Sequence, residues 1–511
     1  MSHPARCDEP PTLTDVLAAG PPAKRGARDE HVESTAPAEY AESKEERARH
    51  RRVNRRIDIA LLPLLSFLYL FNGLDRGNVG NAQTQGFMND IGAAPEDLNF
   101  AVAIFFVTFV TFQPFSAAVG RWLGPKHWIP LLMFSWGMVT IGQAFVSGRG
   151  SLIATRLLIG AFEAGFYATA VSYLSYFYRR YDLAVRLALF YGQYAIAGAF
   201  SGTIAYGVFQ LRGCALENWQ YLFIIEGSAT CLMAIVGWMW LPSGPETAWF
   251  LSRDDRIFAA DRIRRDSEPY VGGDSTPEER LTRRDIVETV RDWKLWCMLL
   301  FNMCASVPSQ AFSVFLPLVV QGMGFSSLDA NLMSVPPYII GALGLYLFAL
   351  SSDRRRDRGF HIVGGILIAI VGLIIVVAVR NNRARYVGLC IFLFGTYVPP
   401  PLTMVWLAGN TPAPGKRSLV LGVNGWGNLA GVIGSQLYRP EYSPRYMLPF
   451  YTTLGIMIVA LLGYLANRFL LRYANTKKLH ALSLMSREEV ESERVDTVRY
   501  ADKKRTFIYG L

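Results

Sequence analysis

The chain contains a long series of apolar segments, each of a length that can cross a bilayer as a helix. A spanning helix needs roughly 20 apolar residues, since each residue adds about 1.5 Å along the helix axis. The segments lie at residues 59–80, 99–119, 129–147, 152–177, 186–210, 220–241, 294–320, 328–350, 361–379, 386–407, 417–437 and 446–470. They predict an all-α, polytopic membrane protein with twelve transmembrane helices.

Charged residues are dense between and outside these segments and sparse within them. The longest polar break divides the segments six and six, which is typical of duplicated transporters that hold the substrate between two halves near the midplane. We therefore divide the chain into five parts. They are a disordered cytoplasmic tail (1–56), a six-helix bundle (57–241), a cytoplasmic central loop (242–292), a second six-helix bundle (293–472) and a cytoplasmic tail (473–511).

The basic residues predict the orientation of the chain in the membrane. Most of them lie in loops on the side of the N-terminus, so the positive-inside rule places both termini in the cytosol. Arg380, Arg383 and Arg385 fall on the other side, and the rule does not account for them. Residues 244–266 of the central loop mix apolar with charged side chains, and predict either an amphipathic helix on the membrane surface or a solvated linker.

The overall composition excludes several classes of partner and site. The net charge of +10 does not require nucleic acid, because the basic residues lie mostly beside apolar segments, where topology explains them. The six cysteines show no CxxC or metal-type spacing. We therefore predict neither a disulfide framework nor a metal site, and no cofactor.

The fourth segment carries two charged side chains among apolar residues. A step of seven residues returns to nearly the same face of a helix, so Arg156, Gly160, Glu163 and Tyr167 would share one face of a continuous helix. Burying an ion in hydrocarbon costs about 3 kcal/mol or more, so this face must meet protein or water. It indicates either the lining of a transport pathway or a charged pair that locks two helices together.

The first segment ends with the neighbours Asp75 and Arg76, which cannot face each other on a helix, so that each needs its own partner. A carboxyl group that is charged in one state and protonated in another can couple transport to protons. Arginine keeps its charge and binds carboxylates through its planar fork. We therefore predict Asp75 and Glu163 as proton carriers and Arg76 and Arg156 as anion-binding residues; the alternative for Asp75 and Arg76 is a helix-end pair at the interface.

Other polar side chains within the apolar segments leave two interpretations open. Glu226, in the sixth segment, has no charged neighbour at helical spacing, and it serves either transport or a helix contact. The second half offers amides in place of charges, namely Asn302, Gln310, Asn424 and Asn428. These amides either bind the oxygens of a ligand or join neighbouring helices.

A group of charged residues follows the eighth segment in the sequence SSDRRRDRG. We predict that Asp353, Arg354 and Arg358 form a gate in which Asp353 pairs across the two halves when the inner side is shut. The alternative is a solvated basic cluster that only orients the loop.

Five stretches of the chain resemble the major facilitator superfamily, and in particular its anion:cation symporter branch. They are LDRGNVGNAQTQGF, RLLIGAFEAGFY, YLFIIEG, SDRRRDRG and GNLAG. The resemblance covers about residues 55–475, and within the branch the chain is similar to fungal permeases of the allantoate and nicotinic acid type. It implies two pseudo-symmetric six-helix bundles that work by alternating access.

The resemblance also assigns roles by motif position. It implies proton coupling and carboxylate binding for the charged residues of the first and fourth segments, and cavity-lining positions for Gln193 and Asn428. With the residues chosen above, the predicted substrate-binding set is Arg76, Arg156, Tyr167, Gln193, Asn424 and Asn428.

These observations predict a monomeric secondary transporter that carries a small organic anion, such as nicotinate or allantoate, into the cell with protons across the plasma membrane. The alternatives are an exporter of an acidic metabolite or xenobiotic and a non-transporting nutrient receptor. The short tails disfavour a receptor. The sequence has no HExxH, Walker-type glycine loop or nucleophile elbow, so we do not expect an enzyme.

Overall fold

The computed structural model describes residues 44–211, 215–267, 283–355, 357–495 and 500–511. Within these ranges the regular structure consists of α-helices and short 3-10 turns. The α-helices are α1 Lys44–Ala60, α2 Leu62–Gln83, α3 Phe87–Asp90, α4 Pro95–Leu123, α5 Pro125–Gln143, α6 Arg149–Glu163, α7 Phe166–Ser175, α8 Arg180–Val208, α9 Asn218–Trp240, α10 Arg253–Ser267, α11 Arg283–Val290, α12 Trp293–Gly322, α13 Ser327–Met333, α14 Val335–Arg355, α15 Gly359–Ala378, α16 Asn382–Thr396, α17 Pro399–Gly409, α18 Pro414–Asn424, α19 Ala430–Leu437, α20 Met447–Ser483 and α21 Arg487–Val495.

These helices form the two sets of six spans that the apolar segments predict. The first half consists of α2, α4, α5, the α6–α7 pair, α8 and α9, and the second of α12, the α13–α14 pair, α15, the α16–α17 pair, the α18–α19 pair and α20. In the described part of the chain, nine helices are long and apolar enough to cross a membrane. The remaining predicted spans correspond to α5, α8 and α18–α19. The prediction of an all-α membrane fold is confirmed.

Local sequence signals set several helix boundaries. Pro95 and Pro125 begin α4 and α5, where a missing backbone N–H costs nothing. Gly124 separates these two helices with a φ of 85°, in the left-handed region that favours glycine. Asp292 begins α12, and its side chain accepts a hydrogen bond from the Lys294 backbone N–H at 3.1 Å.

The N-terminal boundary differs from the prediction. Residues 44–56, assigned above to a disordered tail, form helix α1, whose apolar face is buried. Two of its basic side chains, Arg49 and Arg56, pair with Asp255 of α10 at 3.2 Å and 2.9 Å. The burial of Val53 and Ile57, together with these ion pairs, ties the segment to the rest of the protein despite its high charge. Residues 1–43 lie outside the described residues.

The central segment contains helix α10, as one of the two interpretations of residues 244–266 expects. The Arg262 guanidinium is within 3.1 Å of His50 Nδ1 in α1 and donates to the Phe177 carbonyl oxygen at 2.8 Å, just after α7. The helix therefore packs against the first half and against α1. Residues 268–282, which follow it, lie outside the described residues.

The C-terminal residues fold back against the second half. The side chains of Asp292, Lys294, Lys416 and Asp502 form a buried charge cluster, which we call the tail clasp. Lys416 Nζ lies 2.7 Å from Asp292 and 2.9 Å from Asp502, and Lys294 Nζ lies 3.3 Å from Asp502. Burial alone would raise the pKa of Asp502, but the hydrogen bond from Lys416 and the charge of Lys294 hold it below its usual value.

Helix α1, the central segment and the C-terminal residues all lie on one face of the bundle, which we call the terminal face. Near the other face, called the opposite face, hydrogen bonds join the two halves. Asn99 Nδ2 donates to the carbonyl oxygen of Tyr438 at 3.1 Å, and Asn331 Nδ2 donates to Thr84 Oγ1 at 2.9 Å. The halves are therefore held together near the opposite face.

Glycines permit the closest approach of the halves near this face. Gly80 in α2 packs directly on the backbone carbonyl of Val314 in α12, which leaves no room for a Cβ. Gly202 in α8 meets the backbone carbonyl oxygen of Asn331 in α13 in the same way. Such contacts between small residues let two membrane helices pack with their backbones close together.

One of the three unexplained arginines has a structural role. Arg385 is buried at the start of α16, where its Nε donates to the Val376 carbonyl oxygen at 3.1 Å and its Nη2 to that of Arg445 at 2.9 Å. It thus satisfies carbonyl groups at the end of α15 and before α20. Arg380 and Arg383 are exposed.

Candidate functional site

A central cavity lies between the two halves, on the terminal side of the contacts that close the opposite face. It contains about 750 Å³ of empty space, a figure that includes space open to solvent. The first half lines it with Tyr69, Asn72, Arg76, Phe109, Gln113, Glu163, Tyr167, Tyr191 and Tyr194. The second half lines it with Asn302, Ser306, Gln310, Pro400, Met404, Asn424, Gly425, Gly427 and Asn428.

The cavity wall holds one buried ion pair. Arg76 Nε donates to Glu163 Oε2 at 3.0 Å, and the two side chains are 7% and 0% exposed. The guanidinium also lies over the rings of Phe109 at 4.7 Å and Tyr194 at 5.6 Å. Arg76 is therefore desolvated and held in place, with a single hydrogen-bonded carboxylate as counterion.

The charged face predicted for the fourth segment is interrupted. Helix α6 ends at Glu163 and α7 begins at Phe166, so residues 152–177 do not form one continuous helix. At the break, Gly165 lies so close to Ser116 that a Cβ would overlap the serine side chain. Glu163 and Tyr167 both reach the cavity despite the break.

Arg156 lies deeper than predicted in this conformation. Its Nη2 donates to Asn78 Oδ1 at 3.1 Å, and the side chain is buried. It lines a small separate void together with Arg76, and it is absent from the lining of the central cavity. The assignment of Arg156 to substrate binding stays a prediction. In this conformation Arg156 would act on a solute through Arg76.

The side chain of Asp75 lies on the face of helix α2 that is turned away from the cavity. Its Oδ2 accepts hydrogen bonds from Trp136 Nε1 at 2.9 Å and from Thr230 Oγ1 at 3.1 Å. The neighbouring side chain, Arg76, points into the cavity. The expectation that the two neighbours have separate partners is confirmed. The proton-carrying role of Asp75 stays a prediction, and the structure separates this residue from the substrate space.

The amides of the second half join neighbouring helices and also line the cavity. Gln310 Nε2 donates to Asn428 Oδ1 at 2.8 Å, and Asn302 Nδ2 lies 3.5 Å from Asn424 Oδ1. These bonds join α12 to the segment around α18 and α19, and all four residues also line the cavity. The Tyr194 hydroxyl donates to Gln310 Oε1 at 3.3 Å and so connects the two halves.

Gln193 does not line the cavity as predicted. Its Nε2 donates to the Leu189 carbonyl oxygen of its own helix at 3.4 Å. The neighbouring Tyr191 and Tyr194 line the cavity instead. Since successive side chains on a helix point about 100° apart, the face that holds these two tyrosines turns Gln193 away.

Sequence reasoning missed a cluster of tyrosines on the first-half wall. The centroid of the Tyr69 ring lies close to those of three other tyrosine rings. The distances are 5.7 Å to Tyr167, 6.5 Å to Tyr191 and 6.4 Å to Tyr194. Tyr191 and Tyr194 are three residues apart on α8, a spacing that puts both on one helix face. That spacing is visible in the sequence, but the contribution of Tyr69 from another helix is not.

The predicted gate residues lie on the terminal face within the second half. Asp353 pairs with Arg358, whose Nη1 also donates to Ser352 Oγ at 3.0 Å. Arg354 is exposed. A pairing across the halves was predicted for the state in which the terminal side is shut, and it stays a prediction.

Two six-helix halves that enclose a polar cavity, held together at one face, define a membrane carrier. The sequence profile of the Major Facilitator Superfamily matches residues 65–435. The chain belongs to this family, and the protein is a multi-pass membrane transporter, not an enzyme.

Its relatives include fungal transporters. The MFS-type transporter efuF of Hormonema carpetanum is 35% identical, over 81% of this chain and 84% of that protein. The high-affinity nicotinic acid transporter of Saccharomyces cerevisiae is 30% identical, over 84% of this chain and 79% of that protein. Among solved structures, a bacterial homologue of the human lysosomal transporter Spinster, inward-facing and unoccupied, shares the fold with a TM-score of 0.62. It is 15% identical and the match covers 80% of this chain and 96% of that one.

Proposed function

We propose that the protein is a proton-coupled symporter of a small organic anion and acts in the plasma membrane with both termini in the cytosol. The observation that carries this proposal is the Arg76–Glu163 pair on the cavity wall, with 3.0 Å between Nε and Oε2. It places a permanent cation within reach of a bound solute, beside a carboxyl group that is able to take up a proton.

The pair supplies a physical reason for coupling. A solute carboxylate that binds Arg76 competes with Glu163 for the same guanidinium. If Glu163 stayed ionised, the buried site would hold one negative charge too many, and such a charge costs several kcal/mol when it is poorly hydrated. A proton on Glu163 removes the excess charge. Anion and proton therefore enter the site together.

The tyrosine cluster supports a solute that contains a ring. Tyr69, Tyr167, Tyr191 and Tyr194 present aromatic surface beside Arg76, and aromatic rings bind one another favourably through offset or edge contacts. Amides on the facing wall offer hydrogen bonds to ring or carbonyl heteroatoms. A pyridine carboxylate such as nicotinate fits this lining better than the acyclic allantoate, and one relative is named as a nicotinic acid transporter.

The shape of the cavity supports alternating access. The halves are joined near the opposite face, and the cavity lies on the terminal side of those contacts. With the termini in the cytosol, this conformation is the inward-facing state of alternating access, from which an imported solute leaves. Because net flow follows the gradients, an exporter would use the same conformations in reverse.

The proposal is tested by uptake of labelled nicotinate, allantoate and pantothenate into proteoliposomes at about pH 5 and about pH 7.5. We expect accumulation of at least one acid that depends on an inward proton gradient and is abolished by a protonophore. Arg76→Gln should eliminate uptake, whereas Arg380→Gln, which removes an exposed arginine, should not. Binding without accumulation would indicate a receptor. Accumulation that ignores the proton gradient would refute symport.

A further inference from the structure

Two buried carboxyl groups, Glu226 of α9 and Asp75 of α2, form an acidic cluster outside the central cavity. Glu226 in α9 is 2% exposed, and among the described residues neither of its carboxyl oxygens has a donor at normal hydrogen-bonding distance, although the Asn78 side chain lies close enough to interact with it. Asp75 belongs to the same cluster, and its Oδ1 also has none. Three buried carboxyl oxygens thus lack a donor at normal hydrogen-bonding distance, whereas most buried polar groups in proteins have one.

The charges around the cluster do not balance two ionised carboxylates. Three helices contribute titratable or charged side chains at or beside the cluster. They are Asp75 and Arg76 on α2, Arg156 and Glu163 on α6, and Cys231 on α9. Helix α5 contributes Trp136, which does not titrate. Among the residues that the structure describes, neither carboxylate forms an ion pair with arginine; Arg76 bonds to Glu163 and Arg156 to Asn78. Two such groups cannot both be ionised, so the cluster holds at least one proton in this conformation.

A chain of polar side chains leads from this cluster to the cavity. Asn78 lies beside Glu226, and its Oδ1 accepts from Arg156 while its Nδ2 has no partner among the described residues. Arg156 in turn shares a small void with Arg76, which bonds to Glu163. An ionised Glu226 would attract the Asn78 Nδ2 group more strongly, which would alter the contact between Asn78 and Arg156.

We propose that Glu226 is a second proton-carrying carboxyl of the transport cycle, which acts with Asp75 and communicates with the cavity through Asn78 and Arg156. The proton that Glu226 holds in this conformation passes to water when another conformation of the cycle hydrates the cluster. This inference rests on the proposed proton-coupled function and adds a proton site that the bound solute does not touch.

The test compares wild type, Glu226→Gln and the control Glu246→Gln in proteoliposomes. Glu246 is an exposed carboxyl of the central segment. We expect Glu226→Gln to exchange internal for external substrate at a rate within about twofold of wild type, because its cavity is intact. With a pH difference of one unit across the membrane, the ratio of internal to external substrate should be about tenfold lower than in wild type, because one coupled proton is lost. Glu246→Gln should match wild type in both assays.

The outcomes separate this inference from the function on which it rests. If wild type shows no proton flux at all, the proposed symport is wrong. If wild type couples protons and Glu226→Gln has the same accumulation ratio and pH dependence, Glu226 is only a buried neutral group and the inference is refuted. If Glu226→Gln does not fold, Glu226→Asp keeps a carboxyl at this position. That variant should retain coupling, but the pH dependence of its transport should be shifted. A pH dependence equal to that of wild type would overturn the inference.

Discussion

Replacement of Glu163 by glutamine isolates the role of the ion pair in the cavity. Glutamine has nearly the shape of the protonated acid and keeps an oxygen that can accept the hydrogen bond of Arg76, now at 3.0 Å. It removes the negative charge that neutralises the guanidinium and competes with a bound carboxylate. The variant therefore mimics a permanently protonated carrier.

The structure sets the size of the expected effects. Removal of one partner from a buried ion pair costs about 3–5 kcal/mol when nothing replaces it. Glutamine retains the hydrogen bond, and a bound anion supplies the missing charge, so substrate should raise the melting temperature of the variant more than that of wild type. In wild type, once the pH exceeds the pKa of Glu163, each further pH unit should weaken anion binding by about tenfold. In Glu163→Gln this dependence should be absent.

The assay measures exchange and proton-driven accumulation in the same proteoliposomes. Exchange needs no net release of the proton, so Glu163→Gln should exchange substrate, whereas its proton-driven accumulation should be lower by about tenfold or more across one unit of pH. Glu246→Gln, which removes an exposed carboxyl, should match wild type in both. If Glu163→Gln loses exchange together with accumulation while it remains folded, the residue is structural and our account of coupling is wrong.

Three further predictions concern other parts of the molecule. Arg156→Lys should lower uptake, because a point charge does not reproduce the guanidinium that bonds to Asn78; near-normal uptake would remove it from the mechanism. Gly80→Val should cost about 1–3 kcal/mol in the state closed at the opposite face and lower uptake about tenfold or more, whereas Gly207→Val, which meets open space, should not. Asp502→Asn should lower the melting temperature, because it leaves two buried lysines short of a counterion.

The tail clasp also predicts a dependence on pH. The pKa of Asp502 is lowered in the folded protein, so its contribution to stability is complete above the usual aspartate value of about 3.9. It is lost as the pH falls through the lower value of the folded state. The melting temperatures of wild type and Asp502→Asn, measured against pH, should therefore converge on acidification. A constant difference would show that the charge of Asp502 does not stabilise the clasp.

The fold was predictable because hydrophobic length is a local property. Each span is recognised in the sequence as a run of about 20 mostly apolar residues, and the central polar break divides the spans into two halves. The N-terminal limit was not predictable in this way. Helix α1 is rich in charge, yet it buries Val53 and Ile57, and its Arg49 and Arg56 meet Asp255, far away in the sequence. Composition alone cannot show such a contact.

The site was predictable in its residue types more than in its geometry. Charges and amides inside apolar segments singled out Arg76, Glu163 and the asparagines of the second half, and these residues line the cavity in the structure. Helical spacing could not place Asp75 and Arg156, because their positions depend on how neighbouring helices pack. Nor could it find the contribution of Tyr69 to the tyrosine cluster, which joins side chains from separate helices.

The central claim is that a solute passes through the cavity between the halves, and chemical labelling at Asn428 tests it most directly. A cysteine at this position, in a chain whose six native cysteines are replaced, is treated with a membrane-impermeant thiol reagent from each side. Asn428 lines the cavity, so we predict labelling that a transported organic acid slows. A cysteine that reacts from neither side, or reacts equally fast with and without every transported acid, would contradict the account.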